Sequence, residues 1–283
     1  MRLLKKIFKI STYIIFSLVI ILYFLFRYYT SPKSDQTILD SYANSVIQPK
    51  LSKEKFKDFE YRKIEVVSDT TLPTIVFVHG TIGSLNDFNR FLTDSLLQKK
   101  ANMIAYDRIG YNFNDQNKVQ ESIAFENAML NTIISGLNPD KTILFGYSYG
   151  GPIALSIKQK LKGIILLAPA VYSKVEPMPW LVNFYKWKLT RWLVPDVWKE
   201  ASKEKLSHKK DLTQFENQWN TTKSKVKSIH GNSDMIVPFS NSIFLQNQFT
   251  KSQFELIEVD DAGHGILWSN FAFLKQQLLN ELD

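Results

Sequence analysis

The sequence predicts an α/β fold: a mostly parallel sheet with helices on both faces and a helical cap inserted in its second half. Short, continuously apolar runs, which are typical of strands buried on both faces, alternate with segments of helical periodicity. The alternation breaks from about residue 171 to 222, a stretch with no clear strand pattern that holds five of the six tryptophans. A chain of 283 residues can hold one such domain and an appendage.

The first 30 residues predict an uncleaved signal anchor, a single transmembrane helix. Residues 10–26 carry no charge, and with the three residues that follow they are long enough to cross a hydrocarbon core about 30 Å thick. Residues 1–9 hold four basic residues and no acidic one, which predicts a cytoplasmic amino terminus and places the rest of the chain outside the cytoplasm. A cleaved signal peptide is the alternative, which the absence of a small-x-small site after the run disfavours.

Residues 31–59 predict a linker and short helices without chemistry of their own. Apolar residues at helical spacing mark two faces, broken at Pro49: Ile38, Tyr42 and Val46 on the first, and Leu51, Phe56 and Phe59 on the second. The main domain is therefore expected to span residues 60–283.

Within this domain the predicted strands follow one another at the spacing of strand–helix units. They cover residues 61–67, 74–78, 103–106, 142–144, 163–169, 226–231 and 254–259. Helices are expected near residues 88–96, at 122–134, 152–157 and 240–248, and over 267–278. Such alternation implies parallel strands, and ligand sites in parallel sheets lie beyond the carboxyl ends of the strands.

The net charge of +8 does not predict nucleic-acid binding, because it is confined to two places. Residues 1–9 carry +4, and residues 172–225 hold eleven basic and six acidic residues, which gives +5. The rest of the chain therefore carries −1. The chain has no cysteine, which excludes disulfides, thiolate metal sites and a cysteine nucleophile.

The most informative motif is Gly146-x-Ser148-x-Gly150, which lies between a predicted strand and a predicted helix. Gly-x-Ser-x-Gly in this context is the nucleophile-elbow pattern. A sharp turn from strand into helix exposes the serine hydroxyl, and the flanking glycines let the helix and the neighbouring strand approach closely. The context favours Ser148 as a nucleophile over a plain glycine-rich turn.

Four further motifs accompany the elbow in a fixed order along the chain. They are His79-Gly80, Asp107-Arg108-x-Gly110-Tyr111, His230-Gly231-x-x-Asp234-x-Ile236-Val237-Pro238 and Gly263-His264. Together with the elbow they resemble the α/β-hydrolase superfamily, in the branch with a helical cap after the sixth strand. The resemblance covers about residues 60–283 and implies an α/β-hydrolase fold with its cap at about 171–222.

The resemblance also implies a catalytic triad in the chain order Ser, acid, His, which maps onto Ser148, Asp234 and His264. His264 would take the serine proton and later protonate the leaving group, while Asp234 would hold the imidazole tautomer and stabilise its charged form. Asp260 and Asp261 are alternatives for the acid, but they lie too close in sequence to His264 for the usual arrangement.

By the same resemblance, the backbone N–H groups of Thr81 and Tyr149 would form the oxyanion hole. His79 is expected to shape the oxyanion loop rather than to carry protons. No group of His, Asp and Glu has metal-ligand spacing and no Gly-rich phosphate loop is present, so the sequence predicts neither a metal nor a cofactor.

Three other polar residues in these motifs and in the cap are expected to be structural or solvated. Asp107 is predicted to anchor its own loop and to pair with Arg108, and His230 to pack at a strand end. His208, in the Lys-rich part of the cap, is predicted to be solvated.

The serine at the elbow narrows the classes of enzyme within the superfamily that the chain resembles. Haloalkane dehalogenases and epoxide hydrolases are similar but carry Asp at this position, whereas esterases, lipases, thioesterases, carbon–carbon hydrolases, cofactor-free peroxidases and aminopeptidases carry Ser. The cap tryptophans indicate a substrate with an apolar group, although most of them are expected to pack the cap on the core. The basic residues of the cap favour a solvated face, with contact to anionic lipid as the alternative.

The sequence therefore predicts a membrane-anchored serine hydrolase that cleaves a small carboxylic ester with an apolar group through an acyl-enzyme. One alternative is a related activity of a Ser triad: a thioesterase, a carbon–carbon hydrolase or an aminopeptidase. The other is a non-catalytic binding protein of this fold at the membrane. The complete triad favours an enzyme.

Overall fold

The computed structural model describes residues 2–112 and 117–282, and within them eight strands form one sheet. The strands are β1 (Lys50–Phe56), β2 (Phe59–Val66), β3 (Thr74–Val78), β4 (Asn102–Tyr106), β5 (Thr142–Tyr147), β6 (Gly163–Leu167), β7 (Val226–Gly231) and β8 (Phe254–Val259). Their spatial order is β1-β2-β4-β3-β5-β6-β7-β8. Neighbours from β4 to β8 pair in parallel, and β1 and β2 are antiparallel to their neighbours. The predicted fold class is confirmed.

The described residues contain eleven α-helices, and those that follow the strands of the main domain cover both faces of this sheet. They are α1 (Arg2–Thr30), α2 (Asp35–Asp40), α3 (Asn89–Leu92), α4 (Ser95–Lys100), α5 (Ile123–Ile134), α6 (Gly150–Leu155), α7 (Val182–Lys186), α8 (Asp196–Leu212), α9 (Ser240–Gln248), α10 (Ile266–Ser269) and α11 (Phe271–Leu282). Short 3₁₀ helices lie at Leu85–Phe88, Pro139–Lys141, Ser173–Val175, Arg191–Leu193 and Glu216–Thr221.

Two apolar clusters, one on each face, hold these layers together. Phe77 and Phe145 lie in the cluster that α3 and α11 cover, whereas Val76 and Leu144 lie in the cluster that α5, α6 and α9 cover. Successive side chains of a strand point to opposite faces, so a continuously apolar strand fills both clusters. This is why the central strands β3 and β5 consist almost entirely of buried residues.

The second predicted helical face in residues 31–59 is wrong, because this stretch contains β1. The strand pairs with β2 across a two-residue connection, Lys57 and Asp58, in which Lys57 has a φ of 52°. Leu51 and Phe56 are five positions apart and therefore lie on opposite faces of the sheet, one against each apolar cluster. A spacing that resembled a helical face thus arises from an edge strand with one apolar side chain on each face of the sheet.

The segment before β1 is packed on the domain. Helix α2 buries Ile38, and the next turn buries Tyr42, both in the cluster under α11. The Arg62 guanidinium donates to the Lys33 carbonyl at 2.7 Å and to the Asp35 carboxylate at 2.9 Å. The chain that leaves α1 is therefore attached to β2.

Helix α1 is long and apolar enough to cross a membrane. The candidate span runs over Leu4–Thr30; its most apolar 18 residues have a mean hydropathy of 2.1, and none of these 18 is buried. Twenty-seven helical residues exceed the roughly 20 needed to span a hydrocarbon core.

The segment between β6 and β7 is helical and contains no strand in the described residues, in agreement with a helical cap. Its longest element, α8, has 17 residues and turns a buried face toward the core: Ala201, Glu204, His208 and Leu212. These positions recur at helical spacing.

Candidate active site

Ser148 lies at the tight turn between the central strand β5 and helix α6. Its φ is 54°, a left-handed conformation that is uncommon for a residue with a side chain. The turn is held by neighbouring backbone: the Ser148 N–H donates to the Leu167 carbonyl at 2.9 Å, and the Ser148 carbonyl accepts from Gly151 at 2.9 Å and Ala170 at 3.2 Å. The surroundings therefore maintain a strained serine at the end of β5, as the elbow motif predicts.

Glycines near the serine are required by close packing. A Cβ on Gly150 would lie 2.1 Å from the Val78 carbonyl oxygen, and one on Gly146 would lie 2.4 Å from the Gly150 carbonyl oxygen. A Cβ on Gly80 would lie 2.8 Å from that of Ser148. No real Cβ approaches other atoms so closely, which explains why the motif demands glycine on both sides of the serine.

The structure brings Ser148, Asp234 and His264 together beyond the carboxyl ends of β5, β7 and β8. The His264 Nε2 atom lies 3.0 Å from the Ser148 Oγ, and its Nδ1 lies 2.7 Å from the Asp234 Oδ2. A carboxylate only accepts, so the contact to Asp234 fixes the proton on Nδ1. The Nε2 is then free to accept the serine proton.

Asp234 is held as a carboxylate. Its Oδ1 accepts from the backbone N–H groups of Ile236 at 2.9 Å and Val237 at 2.8 Å, and its Oδ2 faces both His264 and the His230 Nε2, which lies 3.4 Å away. Burial raises the pKa of Asp234, but the hydrogen bonds from the two histidines and from Val237 outweigh it and leave the pKa below its ordinary value.

The alternative acids are engaged elsewhere. The Asp260 carboxylate accepts from the Asn232 side chain at 3.0 Å, and Asp261 is an exposed residue of the same loop with a φ of 54°. Among these three acids, hydrogen bonding to His264 is seen for Asp234.

Tyr147, directly before the serine, positions the histidine loop, and the sequence did not single it out. Its hydroxyl donates to the His264 carbonyl at 2.7 Å, and its ring stacks on the imidazole with centroids 5.2 Å apart. The His264 carbonyl is 117 positions away, and Tyr147 fills a variable position of the Gly-x-Ser-x-Gly motif, which gives no signal of such a contact.

Thr81 and Tyr149, whose backbone N–H groups are predicted to form the oxyanion hole, both lie in segments beside Ser148. Tyr149 directly precedes α6, whose first backbone N–H groups carry the positive end of the helix dipole, and Thr81 follows Gly80, which is packed against Ser148. Neither N–H group is among the backbone donors with a partner in the described part of the chain.

His79 shapes the loop that carries Thr81, as the sequence predicts. Its Nδ1 lies 2.7 Å from the Gly80 carbonyl, and its Nε2 accepts the Arg108 backbone N–H at 2.9 Å. Complete burial, followed by the charge of Arg108, holds the pKa of His79 well below its ordinary value. The ring is therefore neutral, with its proton on Nδ1.

The cap reaches this same loop through Glu204, which the sequence analysis missed. Its carboxylate accepts from the Thr81 hydroxyl at 2.7 Å and the Tyr111 hydroxyl at 2.8 Å, and it pairs with Arg108. The recurrence of Ala201, Glu204 and His208 at helical spacing is the signal that could have identified a buried face.

The expectation for His208 is wrong, because this residue is 2% exposed. Its ring packs on Tyr149 with centroids 4.5 Å apart, and its Nε2 lies 3.2 Å from the Ala170 carbonyl. Lys209 and Lys210, which follow it, are exposed, so the lysine content of the sequence did not describe the environment of this buried face.

His230 packs at the end of β7 as predicted, with Nδ1 2.7 Å from the Ser242 hydroxyl and Nε2 2.9 Å from the Val237 carbonyl. Asp107 does anchor its loop, since it accepts the Leu85 N–H at 2.8 Å. Its ion pair is with Arg62, at 2.7 Å, whereas Arg108 pairs with Glu204.

No group of three or more His, Cys, Asp or Glu that could hold a metal ion occurs in residues 2–112 and 117–282. The groups that surround Ser148 are a base, an acid and backbone donors. This set suits acyl transfer.

Comparison with known proteins places the chain in one fold family. Residues 73–228, more than half of the chain, match the family model described as alpha/beta hydrolase fold. No curated protein sequence matches the chain.

Solved structures resemble the chain over most of its length. An esterase from Exiguobacterium antarcticum is 17% identical with a TM-score of 0.63, covering 79% of this chain and 95% of its own. A membrane phospholipase A, described as a bacterial virulence factor, is 15% identical with a TM-score of 0.62, covering 99% and 97%. A hydrolase from a Medee basin deep-sea metagenome is 15% identical with a TM-score of 0.64, covering 81% and 96%. At these identities the shared feature is the fold.

Proposed function

Since the chain belongs to the alpha/beta hydrolase fold family, we propose that it is a membrane-anchored serine hydrolase that cleaves a carboxylic ester through an acyl-enzyme. One observation carries the proposal: Ser148, His264 and Asp234 form a continuous hydrogen-bonded chain, with distances of 3.0 and 2.7 Å, at the end of the central strand. A serine hydroxyl is a weak nucleophile near neutral pH and needs a base at this distance.

In the acylation step, the Ser148 Oγ attacks the ester carbonyl carbon while its proton moves to the His264 Nε2. The carbonyl oxygen becomes an oxyanion, which the N–H groups of Thr81 and Tyr149 stabilise. The intermediate collapses, the carbon–oxygen bond to the alcohol breaks, and His264 returns its proton to the alcohol. Water then repeats the sequence on the acyl-enzyme and releases the acid.

Asp234 contributes by charge and by orientation. It remains ionised during the cycle because its pKa lies below the ordinary value, so it faces the imidazolium that forms when His264 accepts the proton. The two backbone N–H groups on its Oδ1 keep the Oδ2 directed at His264.

The substrate and the location are part of the same proposal. The substrate that we propose is the one predicted from the sequence, a small-molecule ester with an apolar acyl or alkyl group. We propose that α1 spans the membrane with its basic amino terminus in the cytoplasm and the hydrolase domain outside it.

A fluorophosphonate probe tests the mechanism on the full chain in detergent. We expect labelling that is lost in Ser148→Ala and kept in Ser135→Ala, which removes an exposed hydroxyl at the end of α5. Hydrolysis of p-nitrophenyl esters should be lost with the label, and across a panel of acyl lengths it should favour the longer chains. A folded chain that neither binds the probe nor turns over any ester would instead be a non-catalytic binding protein.

A further inference from the structure

The cap exposes an unusual amount of large apolar surface. We name the tryptophan face by its seven side chains, which are 37–89% exposed: Met178, Trp180, Leu181, Trp187, Leu189, Trp192 and Leu193. The expectation that most cap tryptophans pack on the core is wrong for three of the five, since Trp180, Trp187 and Trp192 are 58–72% exposed. Contiguous apolar surface of this kind marks an interaction site.

The tryptophan face is an ordered surface. The ring of Phe184 lies between Trp180 and Trp187, with centroid distances of 5.7 and 6.3 Å. The backbone N–H of Trp187 donates to Asn183 at 2.9 Å, and that of Arg191 donates to Trp187 at 3.0 Å. These contacts order Trp180 and Trp187, and in the same segment the Trp192 Nε1 donates to the Leu189 carbonyl at 2.9 Å.

The charged residues within this segment have a single sign. Residues 177–195 contain Lys186, Lys188 and Arg191 and no acidic residue. Lys186 and Lys188 are exposed, and the Arg191 guanidinium lies 4.7 Å from the centre of the Tyr185 ring. A partner with an apolar interior and a negatively charged surface would match both the exposed apolar side chains and the basic residues.

The patch is joined to the end of α1. The ring of Phe26, the last residue of the apolar run, packs on Trp198 in the first turn of α8, with centroids 5.2 Å apart. Trp198 follows the tryptophan face by five residues, and Arg27 acts electrostatically on Asp196 beside it. The bonds from Arg62 to Lys33 and Asp35 hold the segment that follows this end of α1. The chain segment that carries the patch therefore leads directly into a contact with the carboxyl end of α1.

We propose that the tryptophan face docks on the outer surface of the same bilayer that α1 spans, with Lys186 and Lys188 against anionic lipid headgroups. Tryptophan suits the interface between the headgroups and the acyl chains because its ring is apolar and its N–H is polar. The inference rests on the proposed anchoring by α1. It adds a second contact, which fixes the cap, and with it the entrance of the proposed site, against the lipid.

The absence of cysteine allows each position to be probed separately in the full chain. Single variants Leu189→Cys, Ile14→Cys and Val67→Cys are labelled with a thiol-reactive fluorophore and reconstituted singly in nanodiscs. Leu189 is 89% exposed on the patch, and Ile14 lies in the middle of α1. Val67 is the control, an exposed apolar residue directly after β2. It lies at the end of the sheet where the parallel strands begin, opposite to the end that carries Ser148.

Two quenchers report on the surroundings of each label: aqueous iodide and lipids with brominated acyl chains. We expect the Leu189 label to be quenched several-fold more by brominated lipid, and several-fold less by iodide, than the Val67 label. A Leu189 label that behaves like the Val67 label, while the Ile14 label is quenched by lipid, overturns the docking inference alone. Aqueous behaviour at both Ile14 and Leu189 overturns the anchor and the docking together.

Lipid charge provides the second measurement. Protection of the Leu189 label from iodide should be greater in discs with phosphatidylglycerol than in discs with phosphatidylcholine alone, and Lys186→Gln with Lys188→Gln should remove the difference. Protection without any quenching by lipid would indicate a protein partner and would overturn the proposal, as would protection that is independent of lipid charge.

Discussion

Arg108 and Glu204 form a buried ion pair that joins the core to the cap through two parallel hydrogen bonds. The Arg108 Nη1 lies 2.7 Å from the Glu204 Oε1, and the Nη2 lies 2.9 Å from the Oε2. Burial raises the pKa of Glu204, but the charge and hydrogen bonds of Arg108 outweigh it and lower the pKa. Because Glu204 also accepts from Thr81, this pair connects cap position to the proposed oxyanion loop.

A second carboxylate, Glu126, shares the cation but is poorly matched to it. Its Oε1 lies 3.5 Å from the Arg108 Nη1, and its Oε2 has no hydrogen-bond partner in the described part of the chain. Burial, opposed by Arg108 and aided by Glu204, raises the pKa of Glu126 to about 7. One cation thus faces two carboxylates, and Glu126 is the one that takes up a proton.

Glu204→Gln is expected to lower the free energy of unfolding by about 3 kcal/mol at pH 7, because it removes the matched partner of a buried cation. The measurement is urea unfolding of the full chain in detergent. Glu126→Gln is the matched control, with an expected loss below about 1 kcal/mol, since its bond to Arg108 is long and its burial as an anion is unfavourable. Equal losses in the two variants would contradict this division of roles.

Glu126 also predicts a pH dependence of stability. Its pKa is about 7 in the folded chain and 4.5 when unperturbed, so between these values the folded state binds more protons than the unfolded state. Stability contributed by this group therefore rises as the pH falls from 7 to 5. The difference in free energy of unfolding between the natural chain and Glu126→Gln should increase in the same direction, and a difference that stays constant over pH 5, 6 and 7 would count against it.

Asp234→Asn is expected to reduce kcat for ester hydrolysis by about 10³–10⁴-fold while leaving the fold intact. The amide oxygen can still accept from Ile236 and Val237, which turns the amide NH₂ toward the His264 Nδ1. His264 would then carry its proton on Nε2 and could not accept that of Ser148. Steady-state kinetics give the effect, and an unchanged thermal unfolding midpoint excludes a loss of folding. A retained rate would mean that Asp234 does not act on His264.

The backbone strain at Ser148 predicts that glycine is more stabilising than alanine at this position, the reverse of the usual order. With a φ of 54°, Ser148→Gly should be more stable than Ser148→Ala by about 1 kcal/mol, although both lose the nucleophile. At Ser156, where φ is −72°, the same pair of variants should rank in the opposite order. Urea unfolding of the four variants makes the comparison. The same order at both positions would show that backbone strain is not what distinguishes the elbow.

The central strands and the serine motif could be predicted from short stretches of the sequence. The central strands are continuously apolar because both of their faces are buried, and a motif such as Gly146-x-Ser148-x-Gly150 is local because its glycines serve one turn. Strand order then implied that Ser148, Asp234 and His264 would meet at one edge of the sheet. Strand β1 was missed, because a strand with one apolar side chain on each face has no strong period.

The fold class, the helical cap and the long apolar helix at the start of the chain could be read from the amino-acid sequence, since each follows from the spacing of apolar residues along a few turns or strands. The pairing of the buried polar groups became clear only in the folded chain: Glu204 with Arg108 and Thr81, Arg62 with Asp107, and Tyr147 with the His264 carbonyl. The folded chain also shows that three cap tryptophans face outward. These depend on which surfaces of distant segments meet, and an apolar or charged residue has the same letter whether its neighbour is a side chain, water or lipid.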